Sequence, residues 1–190
     1  MSTSHPHLDE RVRTRRSRWM RILIGFCTMV LVMVIAWLIV WTNAGRWGVP
    51  MFSFTNEHGS KCRNDFIGRS CSPMTLEDIR FRSQVEIPDG TKVLLSSWKE
   101  THDFELTARL VYPGGEAKGA GWIALSKKFG ECRQNAPSPL STVPDLDGLC
   151  VMSNETVRTE GGQPTDRIWQ ISTANQKDGT MLVHMDIKSR

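Results

Sequence analysis

The sequence predicts an α+β protein with one N-terminal transmembrane helix, followed by a mainly antiparallel sheet domain with one helix packed on it. Three observations lead to this fold class. Residues 22–41 form a run of twenty residues without a charge. Several later segments alternate apolar and polar side chains, as strands with one solvated face do. Residues 116–129 instead carry apolar side chains at helical spacing, so we expect a helix beside the sheet.

The uncharged run matches the thickness of a bilayer's hydrocarbon core. A helix rises about 1.5 Å per residue, so a run of this length covers roughly 30 Å. Gly25 and Thr28 interrupt its apolar composition, and a helix satisfies its own backbone there. A cleaved signal peptide would have a shorter run, of roughly 7–15 residues, ending in small side chains. This run ends in Leu38-Ile39-Val40-Trp41, so we expect the anchor to stay attached.

The charges around the run predict its orientation. Arg46 and Lys61 are the basic residues found in the twenty positions after it, and six arginines precede it. The six are Arg11, Arg13, Arg15, Arg16, Arg18 and Arg21. The positive-inside bias therefore places the N-terminus in the cytoplasm. The predicted organisation is a basic cytoplasmic tail (1–21), a membrane helix (22–41), a stalk or extended lead-in segment (42–61) and an extracytoplasmic domain (62–190).

The net charge of +4 belongs to the tail alone. Six of the 24 basic residues and two of the 20 acidic residues precede the run, so the rest of the chain carries 18 of each. A neutral domain argues against nucleic acid as a partner. We expect the tail to set the topology and to contact anionic headgroups of the lipid bilayer.

Four cysteines follow the predicted span: Cys62, Cys71, Cys132 and Cys150. An even number in an external compartment indicates two disulfides, and spacings of nine and eighteen match no C-x-x-C metal pair. Three connectivities are possible. The pairs Cys62–Cys71 and Cys132–Cys150 are favoured because both close short loops, each closure stabilising the fold by about 2–3 kcal/mol. Cys27 lies within the span, as an apolar filler.

Alternation predicts the strands of a sheet with four to six members. They are expected at 81–87, 92–98, 104–112, 167–173 and 180–188, with a less regular candidate at 151–157. Phe104, Leu106, Ala108, Leu110 and Tyr112 form the apolar face of the third strand. One solvated face favours an antiparallel meander over a parallel sheet that is covered on both sides.

The helix at 116–129 is marked by Trp122, Leu125 and Phe129 at i, i+3 and i+7. Two glycines, Gly119 and Gly121, each weaken it by roughly 1 kcal/mol relative to alanine. Prolines make residues 133–148 a loop.

Three histidines are the candidates for acid–base chemistry. His102 precedes Asp103, but adjacent residues at a strand end point in different directions, so a hairpin turn is favoured. His184 is expected on the solvated face of the last strand. His58 has no partner visible in the sequence.

Two further patterns, a calcium-loop-like segment and a glycosylation triplet, are weak evidence for a functional site. Residues 145–148, Asp-Leu-Asp-Gly, resemble a calcium loop, but the glycine is fourth instead of sixth and the third acidic ligand is missing. A turn is favoured. Asn154-Glu155-Thr156 fits a glycosylation acceptor, which only a eukaryotic secretory pathway would use. No nucleophile elbow, zinc-protease helix, phosphate loop or dinucleotide fingerprint is present. The sequence therefore predicts no catalytic, cofactor-binding or metal residues.

Five segments resemble small actinobacterial membrane proteins that carry one N-terminal span and an external domain. They are Trp47-Gly48-Val49-Pro50-Met51-Phe52-Ser53-Phe54, the pair Cys62 and Cys71, Ile87-Pro88-Asp89-Gly90-Thr91-Lys92-Val93, Thr101-His102-Asp103-Phe104 and Phe129-Gly130-Glu131-Cys132. The resemblance covers most of residues 47–190 and implies topology and compartment only.

The leading functional hypothesis is a membrane-anchored protein whose external domain binds a ligand or another envelope protein. A small envelope hydrolase using His102 or His184 with a distant carboxylate is the first alternative. The second is an accessory subunit of a larger membrane complex, whose span would pack through a helix face formed by Gly25, Thr28, Val32 and Ala36.

Overall fold

A computed structural model describes residues 7–133, 136–154 and 166–189, with side chains from residue 19 onward. The chain forms two compact units, Met1–Trp47 and Gly48–Arg190. The predicted α+β class is confirmed: a long apolar helix comes first, and an antiparallel sheet with packed helices follows.

Helix α1, His7–Asn43, makes up most of the first unit. Its portion Trp19–Asn43 is long and apolar enough to cross a membrane, and none of it is buried in protein. The Thr28 hydroxyl donates to the carbonyl oxygens of Ile24 and Gly25, at 3.1 and 2.8 Å. The Thr28 hydroxyl is thus satisfied within the helix, as lipid surroundings would require.

The second unit is built on one sheet. Its strands are β1 (Ser53–Thr55), β2 (Lys61–Asn64), β3 (Arg69–Cys71), β4 (Lys92–Glu100), β5 (Phe104–Tyr112), β6 (Leu146–Ser153), β7 (Arg167–Gln176) and β8 (Met181–Ser189). Within the described residues the order is β1-β2-β3-β4-β5-β8-β7-β6, and every neighbouring pair is antiparallel.

One face of the sheet carries the main core. Helices α2 (Leu76–Ser83) and α3 (Glu116–Phe129) pack there against the alternate residues of β5 that the sequence predicts to be buried. Leu106, Ala108, Leu110 and Tyr112 are each 0% exposed. We call this the helix face. The boundaries of α3 are those predicted.

The opposite face is covered at one end by the loop between α3 and β6. Leu140 from this loop packs with Ala174 and Leu182, and the three are almost fully buried. At the other end of this face, Leu95 and Ser97 of β4 are exposed. The burial of this face therefore changes across the sheet, which decides where polar groups can be reached.

The prediction of a strand at residues 81–87 is wrong. Residues 76–83 form α2 because Thr75 caps the helix, its hydroxyl accepting from the Asp78 backbone at 3.2 Å. Gln84 then ends it in the left-handed conformation, with φ of 54°. The spacing of Thr75 and Asp78 is itself a capping signal that alternation obscured.

The sheet also has more strands than predicted. Strands β1 to β3 span only three or four residues each, too few to give a period that the sequence could reveal. Strand β1 lies inside residues 42–61, interpreted above as a stalk or lead-in segment. The folded unit thus begins earlier than the predicted domain, which started at residue 62.

Candidate functional site

The four cysteines form the two favoured pairs. Cys62 and Cys71 are opposite residues of β2 and β3, with Cα atoms 4.0 Å apart. Cys132, at the end of the segment after α3, is bonded to Cys150 of β6, with Cα atoms 5.2 Å apart. Cys27 is in α1 and forms no disulfide within the described residues.

The hairpin-turn interpretation of His102 and Asp103 is confirmed. Both lie between β4 and β5, where the Thr101 backbone donates to the carbonyl oxygen of Asp103 at 2.8 Å. His102 is exposed. His58, for which the sequence offered no partner, has Nδ1 3.6 Å from Oε1 of Glu77 and its ring 4.4 Å from that of Phe81.

The prediction that His184 is solvated is wrong, since it is only 8% exposed. It lies on the expected face of β8, opposite the main core. However, β8 is an interior strand, and Leu182, two residues earlier on the same face, is buried under Leu140. Alternation identifies the face of a strand but cannot reveal that a distant loop covers it.

His184 belongs to a set of polar residues that the sequence did not connect. Arg109 of β5, His184 of β8 and Ser172 of β7 are direct cross-strand neighbours, and Asp186 follows His184 on the same face. We call these four the polar row. Exposure falls along the sheet from Leu95, at 55%, through His184 to Ser172, at 0%. Ser172 is thus the most deeply buried member of the polar row.

Each member of the polar row has an unsatisfied atom. Among the described residues, Arg109 Nε, Ser172 Oγ, His184 Nδ1 and Asp186 Oδ1 are buried without a hydrogen-bond partner. Burial lowers the pKa of His184, and the positive charge of Arg109 lowers it further, while Asp186 acts in the opposite direction. Together, burial and Arg109 favour the neutral form of His184. Ser172, His184 and Asp186 are the residue types of a hydrolase, but these atoms form no hydrogen bonds to one another.

The two weaker patterns serve the fold. Asp145 has a φ of 62° and is ion-paired with Lys177, in the turn that leads into β6. No group of three possible metal ligands occurs among the described residues. Asn154 is 2% exposed and braces β7, donating to the carbonyl oxygen of Arg167 at 2.7 Å and accepting from the backbone of Trp169 at 2.8 Å. The other two residues of its glycosylation triplet lie outside the described residues.

A groove of about 480 Å³ opens between α3, β6, β7 and the first residue of β8; we call it the α3–β6 groove. Its apolar lining comes from Trp122, Leu149, Met181 and the Cys132–Cys150 disulfide. Its polar groups are Lys118, Thr173 and Asn175. Grooves of this size, mostly apolar with a few polar groups, are typical of small-molecule sites.

The groove depends on features that alternation alone does not reveal. Gly148 has a φ of 63°, and a Cβ there would lie 3.1 Å from Nδ2 of Asn175, so glycine lets β6 bend past β7. The register of β6 and β7 is interrupted between Asp147 and Cys150. This irregularity leaves Leu149 46% exposed at the groove.

No protein-family model matches the chain, and comparisons with curated proteins and with solved structures give no match either.

Proposed function

We propose that this protein is a single-pass membrane protein whose external domain binds a small amphipathic molecule in the α3–β6 groove. The observation that carries the proposal is the composition of the groove. Trp122, Leu149 and Met181 offer an apolar surface, while Lys118 supplies a cation and Asn175 an amide. A ligand with an apolar body and an anionic end would match both parts.

The compartment follows from the anchor and the disulfides. An arginine-rich N-terminal segment favours a cytoplasmic tail, with residues 42 onward outside the membrane. Two disulfide pairs suit that oxidising side. The lipid bilayer is then a constant partner, and binding in the groove requires no second envelope protein.

Variants in the groove test the binding proposal. Leu149→Glu places an anion on the groove wall, at a position that is already 46% exposed, so the fold should tolerate it. The matched control is Ile123→Glu, which makes the same kind of change on the exposed side of α3, at a residue outside the groove. The probe is anilinonaphthalene sulfonate, which joins an aromatic body to an anion. Full-length protein in lipid nanodiscs is titrated by fluorescence against empty nanodiscs.

We expect Leu149→Glu to weaken probe binding by about tenfold or more, equivalent to at least about 1.4 kcal/mol. Ile123→Glu should bind as the unaltered protein does. Lys118→Met should weaken binding of the sulfonate more than that of a neutral analogue, because only the charge pairing is lost. Equal affinity in all variants would refute the proposal.

Topology has its own test. In a Cys27→Ala background, Ser97→Cys places a thiol on the exposed face of β4. A membrane-impermeant maleimide should label it in intact cells. A thiol placed at Ser4 should be labelled only after permeabilisation, and the reverse pattern would overturn the orientation.

The hydrolase alternative has one supporting observation, the alignment of Ser172, His184 and Asp186 on one face. It is less well supported than binding, because their unsatisfied atoms do not engage one another. The accessory-subunit alternative remains a prediction about the face of α1 that contains Gly25.

A further inference from the structure

Apolar side chains are concentrated at the tip of the hairpin formed by β2 and β3. Phe66 and Ile67 occupy this tip and are 81% and 66% exposed. The tip is fixed at its base, where the Asp65 backbone donates to the carbonyl oxygen of Gly68 at 3.0 Å. Gly68 has a φ of 94°, and a Cβ there would lie 1.8 Å from the carbonyl oxygen of Glu100. Close packing against the end of β4 thus holds the hairpin in position.

Two more exposed apolar residues adjoin the tip. Met51, 61% exposed, donates its backbone N–H to the carbonyl oxygen of Asn64 at 2.7 Å. Val49 is 37% exposed, and its carbonyl oxygen accepts a hydrogen bond from the Asn64 side chain at 3.3 Å. We call Val49, Met51, Phe66 and Ile67 the hairpin-tip patch. Single exposed apolar residues are ordinary, but an adjacent set marks an interaction surface.

We propose that the hairpin-tip patch docks the external domain onto the lipid surface of the membrane in which the chain is anchored. The patch includes the first residues of the folded unit. Val49 is only eight residues beyond Trp41, the end of the uncharged run. Eight extended residues reach at most about 30 Å, which limits how far Val49 can lie from the end of the uncharged run.

This tether favours lipid over any other occupant. A weak contact becomes populated when a short linker holds its partner at a high effective concentration. The small size of the patch suits partial insertion among headgroups and the first acyl carbons, where aromatic and aliphatic side chains gain from leaving water.

The charges beside the patch are compatible with a lipid surface. Lys61 and Arg63 of β2 are exposed, and both precede the tip by a few residues. Basic residues near a bilayer are attracted to anionic headgroups. The acidic residue of the tip, Asp65, accepts a hydrogen bond from the Ser70 hydroxyl at 3.1 Å, which directs its carboxylate toward β3.

A spin label measures the contact directly. In a Cys27→Ala background, Ile67→Cys carries a nitroxide, and full-length protein is placed in nanodiscs of phosphatidylcholine, alone or mixed with phosphatidylglycerol. Power saturation compares access of oxygen, which concentrates in lipid, with access of an aqueous nickel reagent. The control label replaces Phe81, a residue of α2 that is 63% exposed and outside the patch.

We expect the ratio of oxygen to nickel access to be several-fold higher at position 67 than at position 81. Adding Phe66→Asp and Met51→Asp should reduce the ratio at 67 to that at 81. A higher ratio at position 67 in the mixture with phosphatidylglycerol would show that Lys61 and Arg63 contribute to the lipid contact. Equal ratios at both positions would overturn the proposal. Dipolar broadening that disappears on dilution with unlabelled protein, without lipid access, would identify a second copy as the occupant and would also overturn it.

Discussion

Helix α3 carries two glycines two residues apart, and the structure assigns them opposite roles. A Cβ on Gly121 would lie 2.5 Å from both Cδ2 and Cε2 of Tyr112 and 2.9 Å from Cγ of Pro88. Tyr112 is 0% exposed, so its ring cannot swing away. A Cβ on Gly119 would have no atom outside its own helix within 4 Å. Replacing each glycine by alanine therefore separates helix propensity from packing.

The expected sizes follow from these contacts. In a helix, alanine is favoured over glycine by about 0.5–1 kcal/mol, so Gly119→Ala should stabilise the protein by that amount. Gly121→Ala gains the same propensity but overpacks the contact between α3 and β5, which costs about 1–3 kcal/mol. Because three approaches fall under 3 Å, we expect the overpacking to win. Gly121→Ala should then be the less stable variant by about 1–3 kcal/mol.

Thermal unfolding of the full-length protein in detergent, followed by tryptophan emission, measures both changes. For a domain of this size, a change of 1 kcal/mol shifts the melting temperature by about 2–4 °C. The melting temperature should rise for Gly119→Ala and fall for Gly121→Ala. If both variants are stabilised equally, the packing of α3 on Tyr112 described above is incorrect.

Two further predictions concern pH and the disulfide at the groove. Because its pKa is lowered in the folded protein, His184 resists a proton that the unfolded chain accepts below about pH 6.5, so the free energy of unfolding should fall there by up to about 1.4 kcal/mol per pH unit. When stability is measured as a function of pH, His184→Gln should remove this part of the pH dependence. The control His102→Gln, at an exposed position, should not. Equal pH dependence in the two variants would contradict the burial of His184. Replacing Cys132 and Cys150 together by serine opens a closure of eighteen residues and should lower the denaturant-derived free energy of unfolding by about 3 kcal/mol. A loss under about 0.5 kcal/mol would mean that the closure does not constrain the unfolded chain.

The long helices and strands were predictable from the sequence, and the short ones were not. Strand β5 and helix α3 each span enough residues for a repeat of two or 3.6 to stand out, and their boundaries agree with prediction. Helix α2 is eight residues long and polar, so its capping residue Thr75 was the better guide. Strands β1 to β3 are fixed by cross-strand hydrogen bonds and by the pairing of Cys62 with Cys71.

The candidate sites depended even more on distant contacts. Leu149 and Lys118 are 31 positions apart in the sequence, and neither belongs to a motif. They line one groove because β6 lies at the sheet edge beside α3. Likewise, Arg109 and His184 are adjacent only through the pairing of β5 with β8. Their chemistry was visible residue by residue, but their proximity was not.

The sequence by itself determined those features that depend only on the residues of one continuous stretch. Residues 22–41 are apolar enough to prefer lipid, and the period of β5 sets which of its side chains face the core. The tertiary structure decided which residues share a groove and which polar groups are buried away from water. Both outcomes required strands distant in sequence to pair and a loop to cover one face of the sheet. Those events depend on the balance of burial across the whole domain, a quantity that no local window contains.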